Sequence, residues 1–326
     1  MKRAVVWLDK IKEGDLHLVG SKSLNLSKLI SIGVPVPTGF VVTASVFDEF
    51  LELHPQLKTL AKNFLEHSSI DPNRVNRIST MIKSYSLPEN ATKALSDAYS
   101  RLITIANTRL GKMGYVVIRS SATLEDRPTH SFAGLFLTVL GVKGIDNIID
   151  AIKRCWSSVF NPRVILYSLR MKIPLKNMRI GVIVQSMVDA RSAGVMFTAN
   201  PMIGDTDVMI IESVWGMGIS LVSGRTNPDR VFIRKKWPYN IIRKQCGKKA
   251  LKIIWNSKKG ILQEVILPKD EALTISISED EVRKLASMGR IIERVFNAAQ
   301  DIEWCIERGS NLLFILQTRT VTSLRV

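Results

Sequence analysis

The final segment of the chain constrains the fold most, because two strand-like runs flank a short group of turn-forming residues. Residues 301–306 and 312–319 are rich in apolar and aromatic side chains, and Arg308-Gly309-Ser310-Asn311 lies between them. This pattern predicts a β-hairpin. One face of its first strand is apolar and is predicted to face the core: Ile302, Trp304 and Ile306.

The other face of this hairpin carries polar side chains with a chemical use. The loop Gly309-Ser310-Asn311 sets a register in which Glu303 lies opposite Gln317. In the same register Asp301 lies opposite Arg319, and all four side chains share one face. Carboxylate and amide oxygens suit a hard cation such as Mg²⁺, and a guanidinium suits a phosphate. A plain cross-strand ion pair on a solvated sheet face is the alternative interpretation.

The composition limits the class of protein. The chain has 326 residues, 46% of them hydrophobic, which allows a sizeable core in two domains or in one large two-lobed domain. Its formal net charge of +17 predicts an acidic partner such as a nucleotide, a nucleic acid or an acidic protein. The three cysteines form no CxxC pair, so we expect a reducing, cytoplasmic setting without structural zinc. No signal-like or bilayer-spanning apolar run is present, so no membrane partner is expected.

Two basic residues occupy positions that suit a phosphate. Val19-Gly20-Ser21-Lys22 opens a predicted helix, which places Lys22 beside outward-facing backbone N–H groups. Arg119 lies at the end of a predicted buried strand, and the small residues from Ser120 to Asp126 are predicted to form a loop that an anion could approach. Each of the two cations, taken alone, could equally be an ordinary surface residue.

The remaining predicted elements form the framework. The polar stretch 55–113 is predicted to be helical scaffold, and residues 145–160 a helix with an apolar core face. The predicted strand 179–186 contains Gln185 near its end, where an amide could meet a flat base or be an ordinary strand residue.

Residues 230–263 contain no acidic side chain and have the pattern of a meander of short strands. Their basic residues, with Trp237, Tyr239 and Trp255 between them, could bind nucleic acid. We favour the alternative that this stretch is a solvated basic face beside a nucleotide site.

Several stretches, taken together and in order, resemble one family: the ATP-binding part of phosphoenolpyruvate synthase and pyruvate phosphate dikinase, shared by rifampicin phosphotransferases and glucan dikinases. Each stretch is a weak signal alone, whereas the ordered set is specific. The stretches are Val19-Gly20-Ser21-Lys22, Leu24-Asn25-Leu26, residues 33–40, residues 118–126, Ser131-Phe132-Ala133-Gly134, Cys155-Trp156-Ser157-Ser158, residues 194–198, Asn227-Pro228-Asp229, Asp301-Ile302-Glu303-Trp304 and Gln317-Thr318-Arg319.

The resemblance implies an ATP-grasp fold of the α/β (α+β) class, with two lobes and ATP in the cleft between them. We expect the first lobe to cover residues 1–190 and the second, with the metal-binding hairpin, to cover 191–326. The implied cofactors are ATP and Mg²⁺. The implied contacts are Lys22, Arg119 and Arg319 with phosphates as the catalytic residues, the Gly134 loop over them with Thr138 nearby, Gln185 with adenine, and Glu303 and Gln317 with Mg²⁺, assisted by Asp301.

Some positions depart from the family pattern. Gly20-Ser21-Lys22-Ser23 replaces Gly-Gly-Lys-Gly, Leu135-Phe136-Leu137 replaces polar residues, and Ile219 replaces a glutamate. The four histidines, His17, His54, His67 and His130, match none of the family's histidine-domain motifs. We therefore expect the phosphoryl acceptor to be a histidine on a separate swivelling domain or chain.

Three functions are open at this point. The first is phosphoryl transfer from Mg-ATP to that separate histidine, the second is a catalytically weak ATP sensor, and the third is binding of nucleic acid. The intact phosphate and metal residues favour the first over the second. The third is disfavoured because the basic stretch falls inside the region that resembles the family.

Overall fold

The chain forms two compact units, each of which is described here by itself. The computed structural model describes residues 3–67, 71–109, 114–123, 135–175 and 178–321. The first unit comprises residues 1–27 and 38–187, and the second comprises residues 28–37 and 188–326. Both contain antiparallel sheets and helices, which confirms the predicted α/β class. The domain boundary after residue 190 stays a prediction.

The first unit is built on a sheet of five described strands in the order β1-β2-β5-β3-β4. The strands are β1 (Val5–Trp7), β2 (Gly39–Val42), β3 (Val116–Ala122), β4 (Thr138–Val142) and β5 (Ile180–Ser186). All neighbouring strands are antiparallel. Side chains that lie directly opposite each other therefore share a face of the sheet.

Helices pack against both faces of this sheet. In this part of the chain they are α1 (Leu16–Val19), α2 (Ser21–Ser31), α3 (Ala44–Leu53), α4 (Pro55–His67), α5 (Pro72–Ser84), α6 (Glu89–Arg109), α7 (Ile145–Ser157) and α8 (Pro162–Arg170). The predicted helical scaffold and the predicted helix from residue 145 are both present. Trp156 of α7 is fully buried, with its ring centroid 5.0 Å from Phe47 and 5.3 Å from Phe50 of α3. These large rings pack α7 against α3, in the same core as the buried side chains of the sheet.

Strand β3 is longer than the sequence predicted. Ser120, Ser121 and Ala122 were expected to begin a loop, and this was wrong, because they continue the strand opposite residues 180–182 of β5. Small polar residues have a low intrinsic tendency to form strands, but a neighbouring strand that supplies hydrogen bonds overrides that tendency.

The second unit is built on a sheet of six described strands in the order β13-β12-β6-β7-β8-β9. The strands are β6 (Ala190–Phe197), β7 (Val208–Trp215), β8 (Asp229–Arg234), β9 (Ile241–Gln245), β12 (Gln300–Glu307) and β13 (Leu313–Thr320). A separate pair consists of β10 (Leu251–Asn256) and β11 (Ile261–Ile266), and the helices are α9 (Ile219–Val222), α10 (Lys269–Ala272) and α11 (Glu279–Phe296). The predicted apolar face of β12 is fully buried, which anchors the hairpin in the core.

Candidate functional site

The hairpin of β12 and β13 pairs as predicted at its polar end. Asp301 lies opposite Arg319, and Glu303 lies opposite Gln317. Nearer the turn, the register differs by one residue from the prediction, since Trp304 pairs with Ile315. Leu316 is therefore an extra residue in β13. This β-bulge restores the predicted pairing beyond it.

Residues that lie directly opposite each other form rows across five strands of the sheet, and the side chains of each row lie on the same face. One row consists of Arg319, Asp301, Phe197, Ile210 and Phe232. The next row consists of Gln317, Glu303, Val195, Glu212 and Arg230. Because paired residues share a face, the polar end of the hairpin adjoins an apolar floor.

Arg319 is fixed in place by its cross-strand neighbour. Its Nε and Nη2 donate to Oδ2 of Asp301 at 2.8 and 2.6 Å. The cross-strand ion pair considered as the alternative interpretation is thus present. The carboxylate of Asp301 is therefore bonded to the guanidinium of Arg319. The next row of the face holds the carboxylate of Glu303 and the amide of Gln317.

A hollow of about 250 Å³ opens on the same face. Its lining consists of Phe197, Pro201, Met202, Ile210, Glu212, Arg230 and Phe232. Arg230 Nε donates to Glu212 Oε1 at 2.6 Å, so the hollow has an apolar floor and one ion-paired wall. Sequence reasoning missed these residues as a group, because the pairing register of β6, β7 and β8 decides which of their side chains share this face.

In the first unit, Lys22 lies in the first turn of α2, as predicted. Its Nζ lies 3.4 Å from the carbonyl oxygen of Ser120 in β3. Two glycines allow this helix start to reach the sheet. Gly20 has a φ of +77°, and a Cβ on it would overlap the carbonyl oxygen of Ser121. Gly181, opposite Ser121 in β5, would place a Cβ 2.7 Å from the carbonyl oxygen of Val19.

The other predicted residues of this unit share the face on which α2 meets Ser121. Arg119 lies opposite Thr138 of β4 and opposite Ile183 of β5. Gln185 is two residues from Ile183 on the same strand and therefore points to the same side. The structure thus brings Lys22, Arg119, Thr138 and Gln185 to one sheet face. Gly134 lies outside the described residues.

A buried thiol lies near Lys22. Burial raises the pKa of Cys155 to about 12, and the charges of Lys22 and Arg154 oppose that shift. Its Sγ lies 3.8 Å from the carbonyl oxygen of Leu137. Cys155 is fully buried, and a buried thiol that stays protonated at neutral pH is a poor nucleophile.

The basic stretch 230–263 forms the predicted meander, β8 to β11. Many of its cations pair with carboxylates: Arg230 with Glu212, Lys235 with Glu293, Lys244 with Glu279, Lys249 with Asp229, and Lys252 with Glu271. Trp255 is 7% exposed and is not available for stacking on a base. The stretch therefore presents less positive charge and less aromatic surface than its sequence suggests.

Two absences apply to the described part of the chain. It contains no cluster of three or more His, Cys, Asp or Glu side chains placed to hold a metal ion. The hairpin set does not require one, because it consists of two carboxylates and an amide. None of the described helices combines the length and the apolar character that crossing a bilayer requires.

Comparisons with known proteins converge on one family. Residues 16–325 match the model of the pyruvate phosphate dikinase AMP/ATP-binding domain. A probable phosphoenolpyruvate synthase of Staphylothermus marinus is 34% identical, with 99% of this chain and 42% of that protein covered. A probable phosphoenolpyruvate synthase of Methanothermobacter thermautotrophicus is 35% identical, with 99% of this chain and 47% of that protein covered. The one of Methanocaldococcus jannaschii is 32% identical, with 98% of this chain and 27% of that protein covered. The chain thus spans less than half the length of these relatives.

Among solved structures, the D-alanine-D-alanine ligase from Coxiella burnetii is similar over 93% of this chain and 48% of that chain, with 8% identity and a TM-score of 0.38.

Proposed function

The chain belongs to the pyruvate phosphate dikinase AMP/ATP-binding domain family, and we propose that it binds Mg-ATP and transfers a phosphoryl group to a histidine on a separate swivelling domain or chain. The relatives named phosphoenolpyruvate synthase motivate the choice of acceptor. In this proposal the protein works in the cytoplasm, with ATP and the histidine-bearing protein as partners and with no membrane.

The observation that carries the proposal is the polar end of the β12–β13 face. Glu303 and Gln317 would hold Mg²⁺ through a carboxylate and an amide oxygen, which is the all-oxygen set that this ion prefers. Asp301 would assist, chiefly by orienting Arg319 toward a phosphate. Bound Mg²⁺ would supply neutralisation of phosphate charge.

The first unit would hold the rest of the nucleotide. Lys22 lies at a helix N-terminus, and Arg119 lies on the same sheet face, so both would bind phosphate oxygens. Thr138 is opposite Arg119 and would contact the same phosphates. Gln185 would meet the adenine, and Gly134 would belong to the loop that covers the phosphates.

Catalysis of this kind depends on positioning and on neutralised charge. Lys22, Arg119 and Arg319 would stabilise the charge on the transferred group, and the acceptor histidine would supply the in-line nucleophile. Without that histidine, the chain should hydrolyse ATP very slowly. Nucleic-acid binding is less well supported, because five of the eleven cations of the basic stretch pair with carboxylates within the chain.

Titration calorimetry with ATP, in the presence and absence of Mg²⁺, tests the metal assignment. We expect Glu303→Ala to remove the Mg²⁺-dependent part of the affinity, about 1.5–3 kcal/mol. Glu264→Ala is the matched control, because it removes an exposed carboxylate that pairs with Arg225 outside the polar face. Unchanged Mg-ATP affinity in Glu303→Ala would show that the hairpin assignment is wrong.

Transfer is tested with ATP labelled at the γ- or β-phosphate, with and without a phosphohistidine-domain protein encoded in a neighbouring reading frame. We expect an acid-labile, base-stable label on that protein, which Arg319→Ala abolishes. If the chain binds Mg-ATP well and such a partner is never labelled, the sensor function takes the place of transfer.

A further inference from the structure

The helix that carries Lys22 has no capping side chain of its own. Gly20 precedes α2 and its carbonyl accepts the first helical bond, from Leu24 N–H at 3.2 Å. A side-chain oxygen at that position normally accepts from the third residue of the helix, and glycine has none. Here the acceptor is Ser121 of β3, 98 positions along the chain, whose Oγ accepts from Ser23 N–H at 3.1 Å.

A second hydrogen bond joins the same two residues. Ser23 Oγ donates to Ser121 Oγ at 3.0 Å, and both side chains are fully buried. Around this pair, Gly20 lies against the backbone of Ser121, and Gly181 lies against the carbonyl of Val19. The helix start is thus joined to the β3–β5 ladder by hydrogen bonds and by close backbone packing.

This attachment fixes the position of the Lys22 backbone relative to β3. Lys22 immediately precedes Ser23, and its Nζ lies 3.4 Å from the carbonyl oxygen of Ser120. Arg119 lies two residues before Ser121, and side chains two apart on a strand share a face. The hydroxyl of Ser121 therefore sets the position of one cation relative to the other.

We propose that Ser121 is a positioning residue for Lys22, acting as a long-range cap that holds the first turn of α2 beside Arg119. The proposal rests on the proposed function, because it takes Lys22 to be a phosphate contact. Ser121 itself need not touch ATP. Its loss would leave a buried N–H without its acceptor, so the first turn would fray and Lys22 would lose its fixed position.

Ser23 has a distinct part in this attachment. Ser23→Ala removes the hydroxyl–hydroxyl bond and keeps the bond from the backbone N–H to Ser121, whereas Ser121→Ala removes both. The two variants therefore form a graded series. Ser27→Ala is the control, because it removes one buried hydroxyl of the same helix, bonded to the carbonyl oxygen of Ile11.

Calorimetry with Mg-ATP and with adenosine tests the proposal in the full chain. Ser121→Ala should weaken Mg-ATP binding by roughly three- to tenfold, the size of a lost helix cap, and leave adenosine binding unchanged. Ser23→Ala should have a smaller effect, and Ser27→Ala none. In a Lys22→Met background, Ser121→Ala should have no further effect, since the hydroxyl acts through that lysine.

Hydrogen exchange of the amides of Lys22 and Ser23 measures the cap without nucleotide, and both should exchange faster in Ser121→Ala. If the exchange rates of these amides are unchanged in Ser121→Ala, Ser121 does not cap the helix.

Full additivity of Ser121→Ala with Lys22→Met also overturns the proposal, and so does an equal weakening of adenosine binding, because either would indicate a general structural effect. If Lys22→Met leaves Mg-ATP affinity intact, the proposed role of Lys22 fails, and the positioning role fails with it. If Lys22→Met weakens ATP but Ser121→Ala does not, the positioning role alone fails.

Discussion

The candidate site residues of the two units are held in different ways. In the second unit, the polar residues lie on two consecutive strands and face each other across one hairpin. In the first unit, Lys22 comes from a helix, Arg119 from β3 and Thr138 from β4, and contacts between distant parts of the sequence hold them. A set of residues on neighbouring strands can be predicted from the sequence, and its function should be lost mainly when a charge is removed. A set held by distant segments should also lose function when a contact that positions it is removed.

The largest difference that we expect between the units is in the reactivity of their thiols. Burial raises the pKa of Cys155 in the first unit to about 12, which leaves about one part in 10⁴ as thiolate at pH 8. Cys246 in the second unit is exposed, although burial of its sulfur, the largest cause, raises its pKa too. Iodoacetamide at pH 8 should therefore modify Cys246 in the native chain and Cys155 only after unfolding.

Peptide mass spectrometry measures both sites in one sample. A raised pKa means that more alkaline solution is needed to form the thiolate, so labelling of Cys246 should still increase above pH 8.5. Buried Cys305 is the control in the second unit and should follow Cys155. Labelling of native Cys155 at the rate of Cys246 would contradict the burial of Cys155 in α7.

A buried ion pair distinguishes the core of the second unit. Lys249 and Asp229 are fully buried, and Asp229 also accepts from Gly247 N–H at 3.0 Å and from Ser276 N–H at 2.8 Å. Asp229→Ala would leave an ammonium buried without its partner, which typically costs about 3–5 kcal/mol of the free energy of unfolding. Exposed Glu264→Ala is the control and should change it little.

Hydrogen exchange shows which parts of the chain lose stability in Asp229→Ala. If the units are separately stable, Asp229→Ala should lower the protection of amides in the second unit and spare the strands of the first. Equal loss in both would show that they unfold as one.

The proposed roles of Arg119 and Glu303 can be separated by measuring two variants under two ligand conditions. Arg119→Ala should weaken ATP by about 1.5–3 kcal/mol, with or without Mg²⁺, and leave adenosine unaffected, because it removes a phosphate contact. Glu303→Ala should weaken ATP only when Mg²⁺ is present. Calorimetry on both proteins gives the four values. The same Mg²⁺ dependence in both variants would contradict the division of roles.

What the sequence could predict follows the same division between local and distant contacts. The pairing of Asp301 with Arg319 and of Glu303 with Gln317 was confirmed, although the bulge at Leu316 was not foreseen. A bulge changes one hydrogen bond of a ladder and leaves no clear trace in an apolar run such as residues 312–316. The family resemblance was confirmed by the match over residues 16–325, and the α/β class by the sheets and helices of both units.

Distant contacts were beyond reach of the sequence alone. Nothing near Ser121 indicates that it caps a helix that begins a hundred residues earlier, and its place in β3 depends on pairing with Gly181. The basic stretch shows the same limit, because the carboxylates that pair with its lysines all come from outside it. The roles of the site residues stay predictions until ligand binding is measured.

The smallest effect that we expect concerns the start of α11, which is capped locally. Ser278 Oγ accepts from Glu281 N–H at 3.3 Å, and Glu281 Oε2 accepts from Ser278 N–H at 2.9 Å. This capping box is readable from the Ser-x-x-Glu spacing. Ser278→Ala should lower the free energy of unfolding by about 1 kcal/mol, seen as a lower urea midpoint with an unchanged slope.

The same variant should leave Mg-ATP affinity unchanged, and this sets it apart from Ser121→Ala. Glu281 also accepts from Arg191 Nη2 at 2.5 Å, and Arg191 Nε donates to Asn311 in the hairpin turn at 3.1 Å. These bonds reach the turn end of the hairpin, whereas Glu303 and Gln317 lie toward its other end, beyond the bulge. Fraying at α11 should therefore cost stability without moving a ligand. If Ser278→Ala weakens Mg-ATP as much as Ser121→Ala does, loss of any cap loosens the whole site, and Ser121 has no special role.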